Sequence, residues 1–274
     1  MIGPLMVEPL VKVEISEGLF RITLDRPAKR NALSHALVSQ LTAAVARAAG
    51  DASTRLVVVS ANGPAFCAGM DLDEMQGRAD APNADDEWDK DAADYRDLLV
   101  AILKLDVPTL AVVQGPAIAG GFGLVLACDL VLASSAARFA LPEPKRGISP
   151  AVVSPLLIYR IGVGPATPLL LAGQVLTAEA AFRVGLCHMV SPPEKLDASR
   201  EEFATPILAG APQALAMTKR LVRSFALATL LEQLEAGRKV SAEARCTPEA
   251  REGLAAFLEK REPSWYVPPG RKSV

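Results

Sequence analysis

Three short stretches hold residue types that could stabilise a negative charge and move a proton. In Ala65-Phe66-Cys67-Ala68-Gly69-Met70-Asp71-Leu72 a loop of small residues runs into a helix start, which leaves the backbone N–H of Met70 free to bind an anion. Gly115-Pro116-Ala117-Ile118-Ala119-Gly120-Gly121-Phe122-Gly123 lies between a strand and a helix. It lacks the Lys-Ser/Thr of a phosphate loop and the GxGxxG spacing of a dinucleotide site. Its paired glycines let another backbone or a ligand come close, with the N–H of Gly120 pointing outward. Phe139-Ala140-Leu141-Pro142-Glu143-Pro144-Lys145-Arg146-Gly147 sets a carboxylate between two prolines, a rigid placement that suits a general acid or base. Each stretch also has a plain structural reading: a tight turn, a close-packed crossing, and a loop glutamate paired with Lys145 or Arg146.

The elements that must position these residues follow from periodicity. Residues 11–15 and 19–24 alternate apolar and polar side chains around Glu17-Gly18, as in a β-hairpin. Ser34 is placed to cap a helix to Ala49 with Leu37, Leu41, Ala44, Val45 and Ala48 on one face, and Gly50 is expected as its C′ residue. Residues 56–59 and 108–113 are continuous apolar runs, expected as strands covered on both faces. Residues 77–90 are mostly polar, with Asp85, Asp86, Glu87 and Asp89 around Trp88, and are expected to form a solvated, mobile loop. A helix is expected over 95–105, a buried helix over 124–128, short strands over 130–133 and 138–141, and mainly helices after Pro150. Three strand–helix turns in succession suggest a coiled, repeated α/β arrangement. His35 reads as a surface residue, His188 as buried in a strand, and Asp129 as an anchor for a chain turn.

In order, spacing and residue type the three stretches resemble the enoyl-CoA hydratase/isomerase (crotonase) superfamily. The family's AFCAGxDL loop stands at 65–72, and its GxxxxGG turn, helix and CDL stand at 115–130. The resemblance begins with Leu24-Asp25-Arg26-Pro27 and Arg30-Asn31-Ala32-Leu33 and ends with Glu252-Gly253 and Ala256-Phe257-Leu258-Glu259-Lys260-Arg261. It implies a spiral of repeated ββα units over residues 1–200 and a helical subdomain over 201–274 that drives assembly into trimers or dimers of trimers. It implies that the N–H groups of Met70 and Gly120 form an oxyanion hole for a thioester enolate and that Glu143 handles the proton or water. It assigns the CoA chain and adenine to Lys29, Ala68, Gly69, Asp71, Leu72 and Gly121, with Phe257 and Lys260 completing the site, in some members from a neighbouring subunit. No metal or redox cofactor is implied, because CoA enters as part of the substrate.

One position departs from the pattern. Two-glutamate hydratases carry their first glutamate where this chain has Gly123, so only Glu143 remains. Single-glutamate members include Δ3,Δ2-enoyl-CoA isomerases. Ile148-Ser149-Pro150-Ala151-Val152-Val153-Ser154-Pro155, however, is similar to a subgroup of methylglutaconyl-CoA and related branched-chain hydratases that also has glycine after its GG turn. Hydration is therefore the expected reaction, with isomerisation, or non-catalytic acyl-CoA or RNA binding on the same fold, as the alternatives.

Bulk properties agree. The 274 residues can bury a sizeable core, and a formal net charge of −2 offers no general attraction to nucleic acid. Cys67, Cys128, Cys187 and Cys246 form no CxxC pair and have only two histidines beside them, so buried inert thiols are expected rather than a zinc site. No apolar run is long enough to span a bilayer, and Met1 to Glu14 lacks a basic head followed by an apolar block. A soluble cytoplasmic protein is the expectation.

Overall fold

The computed structural model describes residues 9–79 and 84–268; residues 1–8, part of the segment read for a leader, and 80–83 lie outside them. Val11–Ser16 (β1) and Leu19–Leu24 (β2) form the expected hairpin. Its turn residues Glu17 and Gly18 both have positive φ, 52° and 80°, the conformation that matches strand twist in a two-residue turn. His35–Gly50 (α1) is capped by Ser34, whose hydroxyl accepts from the N–H of Leu37 at 3.2 Å. Gly50 does not close the helix as a left-handed C′ residue. Asp51 does so in extended conformation, because its carboxylate turns the chain by accepting from the N–H and hydroxyl of Ser53 and from Thr54.

The chain then coils. Leu56–Ala61 (β3) leads to Leu72–Ala79 (α2) and Ala84–Lys104 (α3). Thr109–Val113 (β4) leads through Ala117–Ile118 (β5) into Gly120–Ala127 (α4). Leu130–Ser134 (β6) leads through Arg138–Ala140 (β7) to Ser154–Ile161 (α5) and Val163–Ala172 (α6). Leu176–Thr177 (β8), Ala178–Arg183 (α7) and Met189–Ser191 (β9) complete the core. The large sheet has the order β1-β2-β3-β4-β6-β9, antiparallel only in the hairpin. A second layer is built from the segment after each large-sheet strand: Leu33 bridges Met70, Cys67 bridges Ala117, and β5 pairs β7, which pairs β8. Each turn thus contributes a sheet strand, a short second-layer segment and a helix, which is the expected ββα spiral.

Residues 77–90 are not a loop. Except for 80–83 they lie in α2 and α3, and Trp88 is buried. The acidity of the segment hid a helical stripe: Trp88, Ala92, Tyr95, Leu98, Leu99 and Ile102 face the core, while Asp86 and Asp89 face solvent.

Four helices follow: Leu196–Ala209 (α8), which spans residue 200, Pro212–Ser224 (α9), Leu227–Arg245 (α10) and Pro248–Leu258 (α11). α10 is tied to α3 by Arg238–Asp89 and by Arg96–Glu235 at 3.0 Å. Its Gly237 lies so close to residue 151 that an added Cβ would fall 2.3 Å from the Ala151 carbonyl. α11 presses on the Glu143 turn in the same way: a Cβ on Gly253 would sit 2.2 Å from the Arg146 carbonyl, and one on Gly147 2.2 Å from that of Glu249. The C-terminal helices therefore brace the loop that carries Glu143. Among the described residues no helix is long and apolar enough to cross a membrane, and none of their His, Cys, Asp and Glu side chains cluster as metal ligands.

Candidate active site

The first loop is held from behind by Asn31. Its fully buried side chain donates to the carbonyls of Asn62 and Ala65 at 2.8 and 2.9 Å and accepts from the N–H of Arg26. The bridge to Leu33 uses the Gly69 carbonyl and the Asp71 N–H, at 2.8 and 3.0 Å. The intervening N–H of Met70 has no acceptor among the described residues. Gly69 has a φ of 92°, and a Cβ there would meet the Cβ of Ala119 at 2.8 Å with the nitrogen of Gly120 only 3.6 Å away, so the two loops touch where both donors sit.

The second loop is strained at that contact. Ala119 has φ 52° and ψ −124°, a conformation that costs a residue with a Cβ roughly 1–3 kcal/mol. It is held by its N–H bond to the Ala140 carbonyl at 2.9 Å and by the neighbouring bond from Ile118 N–H to the Cys67 carbonyl, also 2.9 Å. The sharp bend lets Gly120 open α4 with its N–H unspent among the described residues. Gly121 serves close packing, since a Cβ there would lie 2.5 Å from the Cys67 carbonyl.

Glu143 opens a 3-10 turn, Glu143–Arg146, and is 7% exposed. Burial pushes its carboxyl up to about 7, against the pull of its own backbone N–H and of Arg146 and Arg245. Its Oε2 has no hydrogen-bond partner among the described residues. The surface-pair alternative is not realised: Lys145 donates to the Gly173 carbonyl at 3.3 Å, and Arg146 stacks on Phe257. Glu143, Met70 and Gly120 line one cleft, together with Tyr95 and residues 148–153. Two free N–H groups and a buried carboxyl with one unpartnered oxygen on the same cleft can stabilise an enolate oxygen and move a proton beside it.

Tyr95 was not among the residues singled out from sequence. Its hydroxyl donates to the Gly120 carbonyl at 2.6 Å, and burial, with Cys67 and Glu143 nearby, raises it well above the usual phenol value. A Cβ on Gly123 would fall 2.0 Å from that hydroxyl oxygen. The space where a first glutamate would stand is therefore filled by the tyrosine.

Of the remaining expected residues one, Leu72, is on the cleft wall. The N–H groups of Ala68 and Asp71 are committed to the Arg30 and Leu33 carbonyls, so the two residues could offer a ligand only their carbonyl edges. The Asp71 carboxylate pairs with Arg26 at 2.5 Å. Lys29 lies at the surface against Asp73 at 2.7 Å. Phe257 is half exposed beneath the Arg146 guanidinium, and Lys260 is exposed. Asp129 anchors β4 as expected, accepting from the N–H and hydroxyl of Thr109 at 2.8 Å each. His188 departs from expectation: it precedes β9 and is exposed, its Nδ1 accepting from Val131 N–H at 3.0 Å. Cys67, Cys128 and Cys187 are buried thiols pushed up to about 12, hence unreactive.

Residues 14–267 match the model of the enoyl-CoA hydratase/isomerase family. The chain belongs to that family. The enoyl-CoA hydratase/isomerase fold is seen directly in an enoyl-CoA hydratase from Mycobacterium avium, which superposes with a TM-score of 0.83 at 35% identity over 95% of this chain and all of that one. Among sequence relatives, the 2,3-dehydroadipyl-CoA hydratase of Escherichia coli is 35% identical over 92% of this chain and 97% of its own. The enoyl-CoA isomerase/hydratase of Mycosarcoma maydis is 32% identical over 94% of this chain and 95% of its own. The chain is thus an acyl-CoA enzyme of the enoyl-CoA hydratase type.

Proposed function

We propose that the enzyme adds water to an enoyl-CoA through a thioester enolate, with branched or glutaconyl-type acyl groups as its substrates. The observation that carries this reading is the convergence of two unspent N–H groups, of Met70 and Gly120, with the unpartnered Oε2 of Glu143 on one cleft. The thioester oxygen accepts from the two N–H groups, which gain strength as negative charge develops on it. Glu143, as carboxylate, takes a proton from water as the oxygen adds to the β carbon, and then delivers that proton to the α carbon. A carboxyl at about 7 is matched to both steps near neutral pH. Residues 148–153, whose sequence suggested the branched-chain subgroup, wall the cleft beside Glu143. The Escherichia coli relative acts, by its name, on an acyl group with a second carboxyl.

Isomerisation is the second reading, and Tyr95 favours it: with the Gly123 space filled, no second carboxylate can hold the attacking water. Turnover of a 2-enoyl-CoA to the 3-hydroxyacyl-CoA supports hydration; formation of only the shifted alkene establishes the isomerase.

Self-association through the C-terminal helices is part of the same proposal. Phe225 is 85% exposed, and Met217, Leu221 and Val222 beside it on α9 are also open, an apolar surface of the kind an oligomer covers. Light scattering that shows a monomer at micromolar concentration contradicts the assembly.

A further inference from the structure

Two arginines share the cleft with Glu143. Arg146 stacks over the Phe257 ring at 4.1 Å, and Arg245, the last residue of α10, lies over the Trp88 ring at 5.7 Å. Both line the cleft that holds Met70, Gly120 and Glu143. Both also line an adjoining apolar recess, walled by Leu72, Met75, Trp88 and Leu254. Arg245 Nη1 is shut off from solvent yet donates to no acceptor among the described residues. The carboxylates whose charge reaches Arg245 are Asp91 of α3 and Glu143 itself, and Glu143 is committed to chemistry. A buried guanidinium N–H without an acceptor is costly, and an apolar acyl tail would leave it so. A carboxylate matches the planar fork of donors.

We propose that Arg245, with Arg146 beside it, forms a subsite for an anionic group at the far end of the acyl chain, so that the substrates are CoA monothioesters of unsaturated dicarboxylic acids. The position suits this use, since both arginines line the cleft that holds Met70, Gly120 and Glu143 and the apolar recess that adjoins it. This rests on the hydratase reading for the orientation of the acyl group and narrows its substrate class.

The test is binding, which needs no turnover. The full-length enzyme is titrated calorimetrically with saturated, unreactive pairs: succinyl- and butanoyl-CoA, glutaryl- and pentanoyl-CoA, adipyl- and hexanoyl-CoA. At least one diacid thioester is expected to bind about tenfold or more tightly than its monoacid partner, the effect of one charge-assisted hydrogen bond. Arg245→Met should bring that ratio close to one, and Arg245→Lys should retain part of it. Equal affinities in all three pairs overturn the subsite, as does a ratio that survives Arg245→Met. A loss of affinity shared equally by free CoA, pentanoyl-CoA and glutaryl-CoA places the arginine on the CoA phosphates instead and also overturns it. If Arg245→Met does not fold, the wild-type ratios and Arg245→Lys decide. An enzyme that hydrates enoyl-CoA but shows no diacid preference refutes only the subsite, whereas a diacid preference without hydration refutes only the reaction.

Discussion

Replacing Glu143 by glutamine should stabilise the protein while disabling it, and the two effects have one cause. The carboxyl has its folded value at about 7 against an ordinary 4.5, so between those values the folded state binds more protons than the unfolded chain. The associated stability is fully present below 4.5 and is lost as pH rises through about 7. That difference corresponds to about 3 kcal/mol at pH 8, the cost of holding a carboxylate in the cleft. Glutamine has the same shape and no charge to desolvate. The variant should therefore gain on the wild type by roughly 3 kcal/mol between about pH 4.5 and pH 8, seen as a melting temperature about 6–12 °C higher at the alkaline end. Urea or thermal unfolding of both proteins across that range measures it. Turnover should fall by about a hundredfold or more with acyl-CoA affinity little changed, and wild-type kcat/KM should rise through about pH 7 as the carboxylate forms. A stability difference that stays constant with pH would refute the reasoning, because it would mean that Glu143 is not held away from water.

Other substitutions probe the surrounding parts. Gly120→Pro removes one oxyanion N–H, and a variant shown by its thermal melt to be folded should lose about 3 kcal/mol of transition-state stabilisation, roughly a hundredfold in kcat/KM; full turnover would rule out that donor. Tyr95→Phe frees the Gly120 carbonyl and should lower kcat by about tenfold with KM nearly unchanged, measured alongside a thermal melt. Gly123→Glu should fold poorly, because its Cβ would lie 2.0 Å from the Tyr95 hydroxyl; combining it with Tyr95→Ala should restore part of the melting temperature, and an undisturbed single variant would contradict the packing.

What could be read from the sequence was whatever rests on local backbone demands. Met70, Gly120 and Glu143 sit in stretches whose glycines and prolines answer to such demands. Gly69 needs a positive φ, Gly121 must meet Cys67, and Glu143 starts a turn between two prolines. What escaped depends on contacts between distant segments. Tyr95 comes to Gly123 from α3, and Arg245 reaches the cleft from α10, so neither shows a local signature. Gly123 itself read as a missing carboxylate, and only packing shows that the Tyr95 hydroxyl takes the space beside it. Trp88 was lost among acidic neighbours because composition outweighed a helical spacing that was present from residue 88 to 102.

The central claim is that Glu143 adds water to a double bond whose thioester is held by Met70 and Gly120. Its most direct test is the product formed by the wild type in deuterated water from a 2-enoyl-CoA that has γ hydrogens. The expected result is 3-hydroxyacyl-CoA carrying deuterium at the α carbon and none at the γ carbon, with the reaction lost in Glu143→Gln. Formation of only the 3-enoyl-CoA, with a proton lost from the γ carbon and deuterium gained at the α carbon, would contradict it.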